Sequence, residues 1–288
     1  MSDFPNLARI PRRVVSLVPS NTETLFDLGL EEFLVGRTDF CTHPKDRVGL
    51  VPSVGGTKDP ELPRIRQLKP DLVLANQEEN TERVIRALEA EGIPVWVTFP
   101  KTVREAISDL RCLASLFASS RALQQVDLLE RAVEWAGGSA PGDTASVFCP
   151  IWRAGPAERP SWWMTFNRET YAHDLLRLCG GRNVFADRER RYPLAADLGR
   201  GPSQELALRD HRYPRVDLEE IRQARPEVIL LPDEPFGFGE ADLKSLVALL
   251  PEVPAVRDGR LRRVEGSLLF WHGTRMAKAL QTLPTLLH

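Results

Sequence analysis

The sequence has 288 residues, the length of one large domain or two ordinary ones. Hydrophobic residues make up 42% and charged residues 27%, which excludes a disordered or fibrous chain. The 38 lysines and arginines are balanced by 40 acids, so the net charge of −2 leaves no positive surplus to bind nucleic acid.

The N-terminal residues and the cysteines bear on the compartment. Basic residues precede only a short apolar run at 14–18, and Asp3 stands where a signal peptide would be basic. The apolar runs are shorter than the roughly 20 residues of a membrane-spanning helix. The four cysteines lie far apart, which is typical of buried free thiols. As written, the sequence predicts a cytoplasmic protein, or one from which a leader has been removed.

The first hundred residues alternate short apolar strands with helical patterns. Strands are predicted at 14–19, near 33–36 and at 71–76, and further helical and strand patterns follow as far as residue 99. Strands that are apolar almost throughout and are separated by helices are typical of βαβ units with a parallel sheet.

Residues 102–138 follow a different pattern. Thr102 and Glu105 form a capping box, after which apolar residues recur at helical spacing until Gly137. An unbroken helix over this range would span ~50 Å at about 1.5 Å per residue. The alternative is a pair of antiparallel helices with a break at Ser119-Ser120.

After this helix the αβ pattern resumes, and it contains an internal repeat. The segment IRQLKPDLVL (65–74) matches IRQARPEVIL (221–230), with a helix end, a proline and an apolar strand in the same register. The repeat predicts two related α/β lobes. In such an architecture the ligand is expected in the cleft between the lobes, beyond the strand ends.

Sequence signatures of catalysis are absent. The chain has no GxSxG, GxxxxGK[ST], HExxH or GxGxxG motif. His43, His211 and His272 lie on predicted loops or strand ends, from which they would converge on a metal ion. Ordinary solvated or hydrogen-bonded histidines are the alternative. An enzymatic role would need acid–base partners such as His272 and Glu234 to meet.

Aromatic residues in or beside loops suggest a large planar ligand, because rigid rings supply apolar area at low entropic cost. They are Trp152, Trp162, Trp163, Tyr192, Tyr213, Phe236, Phe238 and Trp271. The alternative is that these rings cover the sheet ends. From the first half of the chain, Asn76 is the natural polar contact because it directly follows an apolar strand.

Four segments resemble a known family: RRVVSLVPSNTETLFDLGL, VGRTDFCTHP, VGGTKDPELPRIRQLKPDLVLA and TYAHDLLRLCGGRNVFAD. They are similar to the cobalamin and ferric-siderophore substrate-binding proteins of ABC importers, the helical-backbone metal receptor superfamily. The resemblance implies an α/β fold of two Rossmann-like lobes, at 1–101 and 144–288. One long backbone helix, within the interlobe segment 102–143, would join them.

The resemblance also implies a function. It indicates a monomeric binding protein, not an enzyme, that captures a metal chelate between its lobes for an ABC permease. The expected ligand is cobalamin or another corrinoid, haem, or a ferric siderophore, and no covalent cofactor is expected. The alternatives are a direct metal-ion binder and a cytoplasmic chelate-handling protein not coupled to transport. Members of the family are usually periplasmic or attached to the cell surface.

Matching by motif assigns candidate residues to both roles. The ligand-binding positions fall on Asn76, Trp162, Trp163, Met164, Tyr213, Trp271 and His272. Arg275 is a further polar candidate, which would pair with a carboxylate or phosphate of the chelate; the alternative is a plain salt bridge in the last helix. The transporter-docking positions fall on Glu82 and Glu219, each in the first turn of a predicted helix. The helix dipole would favour an acid there in any case.

Overall fold

The computed structural model describes residues 7, 9–138, 144–155, 161–204 and 209–287. These residues fall into two compact units. Unit 1 comprises the described residues up to Glu134 together with Trp271–Ala277. Unit 2 comprises the described residues of Trp135–Phe270 and those from Lys278 onward. The predicted α/β class with two lobes is confirmed.

Unit 1 is built on parallel strands connected by helices. Its strands are β1 (Val14–Ser16), β2 (Leu34–Arg37), β3 (Leu72–Asn76) and β4 (Val95–Thr98). Its helices are α1 (Pro19–Asp27), α2 (Leu62–Gln67), α3 (Glu82–Ala90), α4 (Val103–Leu116) and α5 (Ser120–Gly138), with short 3₁₀ turns at Glu31–Phe33 and Val48–Leu50. Helix α5 continues past Glu134 into unit 2. The strands form a parallel sheet in the order β2-β1-β3-β4.

Unit 2 contains a second parallel sheet and a small antiparallel one. Its strands are β5 (Ala145–Phe148), β6 (Trp152–Arg153), β7 (Trp162–Met164), β8 (Gly181–Asn183), β9 (Arg215–Asp217), β10 (Val228–Pro232) and β11 (Leu261–Val264). Its helices are α6 (Tyr171–Leu178), α7 (Leu194–Asp197), α8 (Leu218–Ala224), α9 (Glu240–Leu249), α10 (Pro254–Arg257), α11 (Ser267–Phe270) and most of α12 (Met276–Leu287). The parallel sheet has the order β11-β10-β5-β8, and the antiparallel sheet has the order β6-β7-β9.

The internal repeat has the same local structure in both copies. Each copy runs from the end of a helix, α2 or α8, into a central strand, β3 or β10, that is buried at every position. Lys69 and Arg225, which precede the two prolines, adopt left-handed backbone conformations with φ of 45° and 47°. A following proline disfavours the right-handed helical conformation, so both helices stop at the same point.

The segment 102–138 corrects the sequence prediction of one long helix. Helix α4 begins at the predicted capping box and ends at Leu116, and α5 begins at Ser120. Ala118 between them is left-handed, with φ of 49°. The Ser119 hydroxyl accepts a hydrogen bond from the Ala122 amide at 3.2 Å, which caps α5.

The direction of the chain also changes at this break. Arg111 of α4 forms an ion pair with Asp127 of α5 at 2.8 Å. A straight helix, rising about 1.5 Å per residue, would hold these two residues roughly 24 Å apart.

Two expectations from composition can be compared with the fold. Cys41, Cys149 and Cys179 are buried free thiols as predicted, whereas the free thiol Cys112 is exposed on α4. None of the helices formed by the described residues combines the length and the apolar character needed to cross a bilayer.

Candidate functional site

Two buried asparagines hold the strand ends of unit 1. The side-chain amide of Asn76 donates to the Thr98 carbonyl at 2.9 Å, and its oxygen accepts from the Glu78 amide at 2.8 Å. Asn80 in turn accepts from the Asn76 backbone at 2.8 Å and donates to the Leu17 carbonyl at 3.2 Å. Asn76 is only 1% exposed. It shapes the turn after β3, and its predicted role as a ligand contact stays a prediction.

The segment Trp271–Ala277 is anchored on α1 by a buried ion pair. The Arg275 Nε donates to a Glu23 carboxylate oxygen at 2.7 Å, and the two side chains are only 6% and 12% exposed. Gly273 lies so close to α1 that an added Cβ would clash with the Thr24 hydroxyl. Withdrawing Arg275 would leave the buried Glu23 without its counter-ion, which is strongly destabilising. This ion pair is the alternative expected for Arg275, and its pairing with a chelate stays a prediction.

Two other predicted residues meet on unit 1. The rings of His43 and Trp271 pack edge to face, with centroids 5.6 Å apart. The Arg275 guanidinium lies 5.0 Å from the centre of the Trp271 ring, a cation–π distance. Both His43 and Trp271 keep part of their surface exposed. His43 and Trp271 therefore form a partly exposed aromatic pair on unit 1.

His272 borders a small cavity whose walls include Asn21, Trp96 and Thr98. The cavity has a volume of about 20 Å³, the space of roughly one water molecule. Desolvation by the surrounding protein lowers the pKa of His272 to about 4, although the nearby charge of Glu78 raises it. The imidazole is therefore neutral at pH 7.

The predicted metal site at His43, His211 and His272 is not found. No three His, Cys, Asp or Glu side chains in the described part of the chain are grouped so that they would hold a metal ion. His211 is already used within unit 2. Its Nδ1 donates to the Arg190 carbonyl at 2.7 Å, and its ring packs edge-on against Tyr192 at 5.8 Å.

Strand β7 divides its three predicted ligand residues between two faces. Trp163 lies in the core of unit 2 with Phe148 and Phe185, and it is 5% exposed. Successive side chains of a strand alternate in direction, so Trp162 and Met164 lie on the opposite face. We call this opposite face of the β6-β7-β9 sheet the outer face. Trp163 is a core residue, and its predicted role in ligand binding stays a prediction.

The outer face carries a row of three neighbouring side chains. Met164 is paired with Trp152 on one side and with Arg215 on the other. Side chains paired in this way have Cβ atoms roughly 4.5–5.5 Å apart. The sequence did not single out Arg215, and it gave Trp152 only as one aromatic among several. The sequence around Arg215 has no hydrophobic periodicity or motif that would distinguish this arginine from one on the protein surface.

Trp152 is also placed near the ends of the central strands of unit 2. It is 45% exposed, and its ring lies 5.4 Å from that of Phe236. Trp152 follows β5 and Phe236 follows β10, so both lie beyond the carboxyl ends of parallel strands. Ligands of open α/β sheets bind in this position.

Tyr213 lies two residues before β9 and is partly exposed. The Arg212 guanidinium lies 5.0 Å from the centre of its ring, and Arg212 also forms an ion pair with Asp210 at 2.7 Å. A ligand-binding role for Tyr213 stays a prediction.

The comparisons with known proteins identify the family. A family model described as periplasmic binding protein matches residues 14–266. The chain belongs to the periplasmic binding protein family. This membership contradicts the predicted cytoplasmic location, which rested on the N-terminal residues alone.

Several members of this family are similar to the chain along nearly its whole length. The vitamin B12-binding protein of Yersinia pestis (strain Pestoides F) is 26% identical over 286 residues, which cover 96% of this chain and 89% of that protein. The periplasmic heme-binding protein of Roseiflexus sp. RS-1, in apo form, has a TM-score of 0.73 at 21% identity, with 96% and 97% of the two chains covered. The periplasmic vitamin B12 binding protein of Vibrio cholerae has a TM-score of 0.72 at 21% identity with the same coverage. The two solved structures show the fold.

We expect His272 to make stability depend on pH. Its pKa of about 4 in the folded protein is below the value of about 6.5 in an unfolded chain, so the unfolded state binds the proton first as the pH falls. Between pH 7 and pH 5 this group should lower the free energy of unfolding by about 1–2 kcal/mol. Urea unfolding of His272→Asn should show a pH dependence weaker by that amount. An unchanged pH dependence in this variant would contradict the assignment.

Proposed function

We propose that the protein captures a corrinoid or haem-like metal chelate for an ABC importer. The observation that carries the proposal is the similarity to a vitamin B12-binding protein over 96% of the chain. Relatives of known structure that bind heme or vitamin B12 add support. The proposal assigns capture and release of the ligand, and no chemical reaction.

The exposed aromatic residues support a planar, largely apolar ligand. Trp152 presents an exposed ring on unit 2, edge-on to the partly buried Phe236, and Met164 adds a polarisable thioether next to Trp152. On unit 1, His43 and Trp271 form a second accessible pair. Rigid aromatic side chains lose little conformational entropy when they bind a ligand, so they are suited to recognising a conjugated macrocycle.

Importer docking is proposed for Glu82 and Glu219. Each occupies the first turn of its helix, α3 or α8. Their side chains are 75% and 63% exposed, and each forms an ion pair with an arginine one turn along the same helix, Arg86 or Arg222. Exposed pairs of this kind are weak, so both carboxylates can exchange partners for arginines of a permease.

Replacing Trp152 should weaken ligand binding without affecting the fold. Trp152→Ala removes an exposed ring worth on the order of 1–3 kcal/mol against a flat ligand, so Kd for cobalamin or haem should rise roughly five- to 150-fold. Trp163→Ala instead opens a cavity in the core and should lower the free energy of unfolding by about 3–5 kcal/mol. Absorbance titration gives Kd and urea unfolding gives stability.

Trp135→Ala is the matched control for Trp152→Ala. Trp135 is 75% exposed on α5, and its replacement should change neither Kd nor the unfolding free energy. If Trp152→Ala binds the ligand normally, or if Trp135→Ala loses as much affinity, the outer face is not part of the ligand site.

Charge reversal at the docking glutamates should impair transport alone. The double variant Glu82→Lys, Glu219→Lys should reduce cobalamin or haem uptake by cells carrying the cognate importer about tenfold or more, because two cations would face the permease arginines. Kd for the ligand should stay unchanged. Glu89→Lys, an exposed charge reversal at the other end of α3, should leave uptake intact. Normal uptake by the double variant would contradict docking at these residues.

A further inference from the structure

Arg215 begins β9, and its guanidinium forms an ion pair with a buried carboxylate that also accepts hydrogen bonds from other donors. Its side chain is 16% exposed, and its Nη1 is 3.6 Å from the fully buried Asp197. The oxygens of that carboxylate accept hydrogen bonds from Nη1 of Arg188 at 3.1 Å and from the backbone amides of Arg191 and Arg215 at 2.9 Å. The Nε of Arg215 is buried and has no hydrogen-bond partner among the described residues.

Arg190 brings a second guanidinium into the same neighbourhood. Its central carbon lies 4.6 Å from the centre of the Tyr192 ring, and its Nε is likewise buried and unpartnered within the described part of the chain. Burial lowers the pKa of Arg215, and the charge of Arg190 lowers it further, although Asp197 raises it. The geometry agrees, because the backbone amides of Arg191, the next residue along the chain, and of Arg215 donate to the two oxygens of the same Asp197 carboxylate.

Trp162 adds a third buried donor next to Arg215. The Arg215 guanidinium lies 5.5 Å from the centre of the Trp162 ring, and the indole Nε1 has no partner among the described residues. Arginine and tryptophan side chains donate hydrogen bonds and cannot accept them. Buried donors without acceptors are rare and unfavourable in folded proteins. Each of these donors would be satisfied by an acceptor, and the positive charges of the two arginines favour an acceptor with negative charge.

We propose that Arg190, Arg215 and the indole of Trp162 bind an oxyanion, the carboxylate or phosphate substituent of the metal chelate. The planar fork of a guanidinium matches the spacing of carboxylate and phosphate oxygens. Arg215 is paired with Met164 on the outer face, so a chelate lying against that face can place a substituent on it. The inference rests on the proposed function, and it moves the anion-binding role predicted for Arg275 to a pair of arginines in unit 2.

The test compares haem, whose side chains end in carboxylates, with haem dimethyl ester, in which those groups are neutral. The intact protein should bind haem about tenfold or more tightly than the ester, because charge-assisted hydrogen bonds are lost in the ester. Arg190→Gln and Arg215→Gln should each weaken haem binding by a similar factor and leave ester binding nearly unchanged. Thermal unfolding of each variant checks that the protein is folded.

Arg191→Gln is the matched control, because it removes the same charge from the adjacent, exposed position. It should bind haem and its ester as the unaltered protein does. Haem binding that survives in both Arg190→Gln and Arg215→Gln would overturn the proposal. So would an equal loss of haem and ester in these variants, since that result indicates a structural role.

Inorganic phosphate distinguishes a ligand substituent from a free anion. Calorimetric titration should show that phosphate binds weakly to the protein, competes with haem, and fails to bind Arg190→Gln and Arg215→Gln. Phosphate binding without discrimination between haem and its ester would overturn the assignment to a chelate substituent. If neither haem, its ester nor cobalamin binds, the proposed function fails. In that case the anion site is tested by phosphate alone. Phosphate binding that is lost in both Arg190→Gln and Arg215→Gln would support the site, and absence of phosphate binding to the unaltered protein would overturn it.

Discussion

The pleat of β7 determines how unit 2 divides its aromatic residues between the core and the outer face. Trp163 is buried opposite Val216 of β9, so a shift of one residue between these strands would exchange the faces on which Trp162 and Trp163 lie. The same register puts Arg215 beside Met164. The row of Trp152, Met164 and Arg215 and the proposed anion site therefore both depend on this register.

In unit 1 the hydrogen-bonding residues maintain the structure, and flat rings remain accessible. Asn76 closes the turn after β3 with both ends of its amide, and Arg275 is neutralised by Glu23 in a nearly dry environment. If either side chain bound a ligand instead, its present partner would stay buried without a hydrogen bond or counter-ion, which would lower the stability of the fold. His43 and Trp271 pack edge to face, and part of the surface of each ring stays exposed.

Local sequence signals predicted the local structure well. The proline repeat marked two equivalent helix–strand junctions, and Thr102 with Glu105 marked the start of α4. The break after α4 could not be predicted as firmly, because alanine favours helices and nothing in the sequence shows that Ala118 is left-handed. The alternative helix break at Ser119-Ser120 came within two residues of the observed one.

The candidate site was harder to predict because burial depends on residues distant in sequence. Arg275 is neutralised by an acid 252 positions away, so the sequence around it offers no sign that it is occupied. Arg190 and Arg215 are the reverse case, because each has a nitrogen without a hydrogen-bond partner among the described residues. They look like ordinary surface arginines, and only the burial of their unpartnered nitrogens distinguishes them. Family resemblance indicated the class of ligand without showing which side chains are free to contact it.

The most direct test of the account is a visible-absorption titration of the purified, ligand-free protein with cobalamin and, separately, with haem. The account predicts a saturable spectral change at one ligand per protein for at least one of them, with Kd of about 1 μM or lower, equivalent to roughly −8 kcal/mol or better. Absence of any saturable change with both ligands up to about 100 μM would contradict the claim that this protein captures a macrocyclic metal chelate.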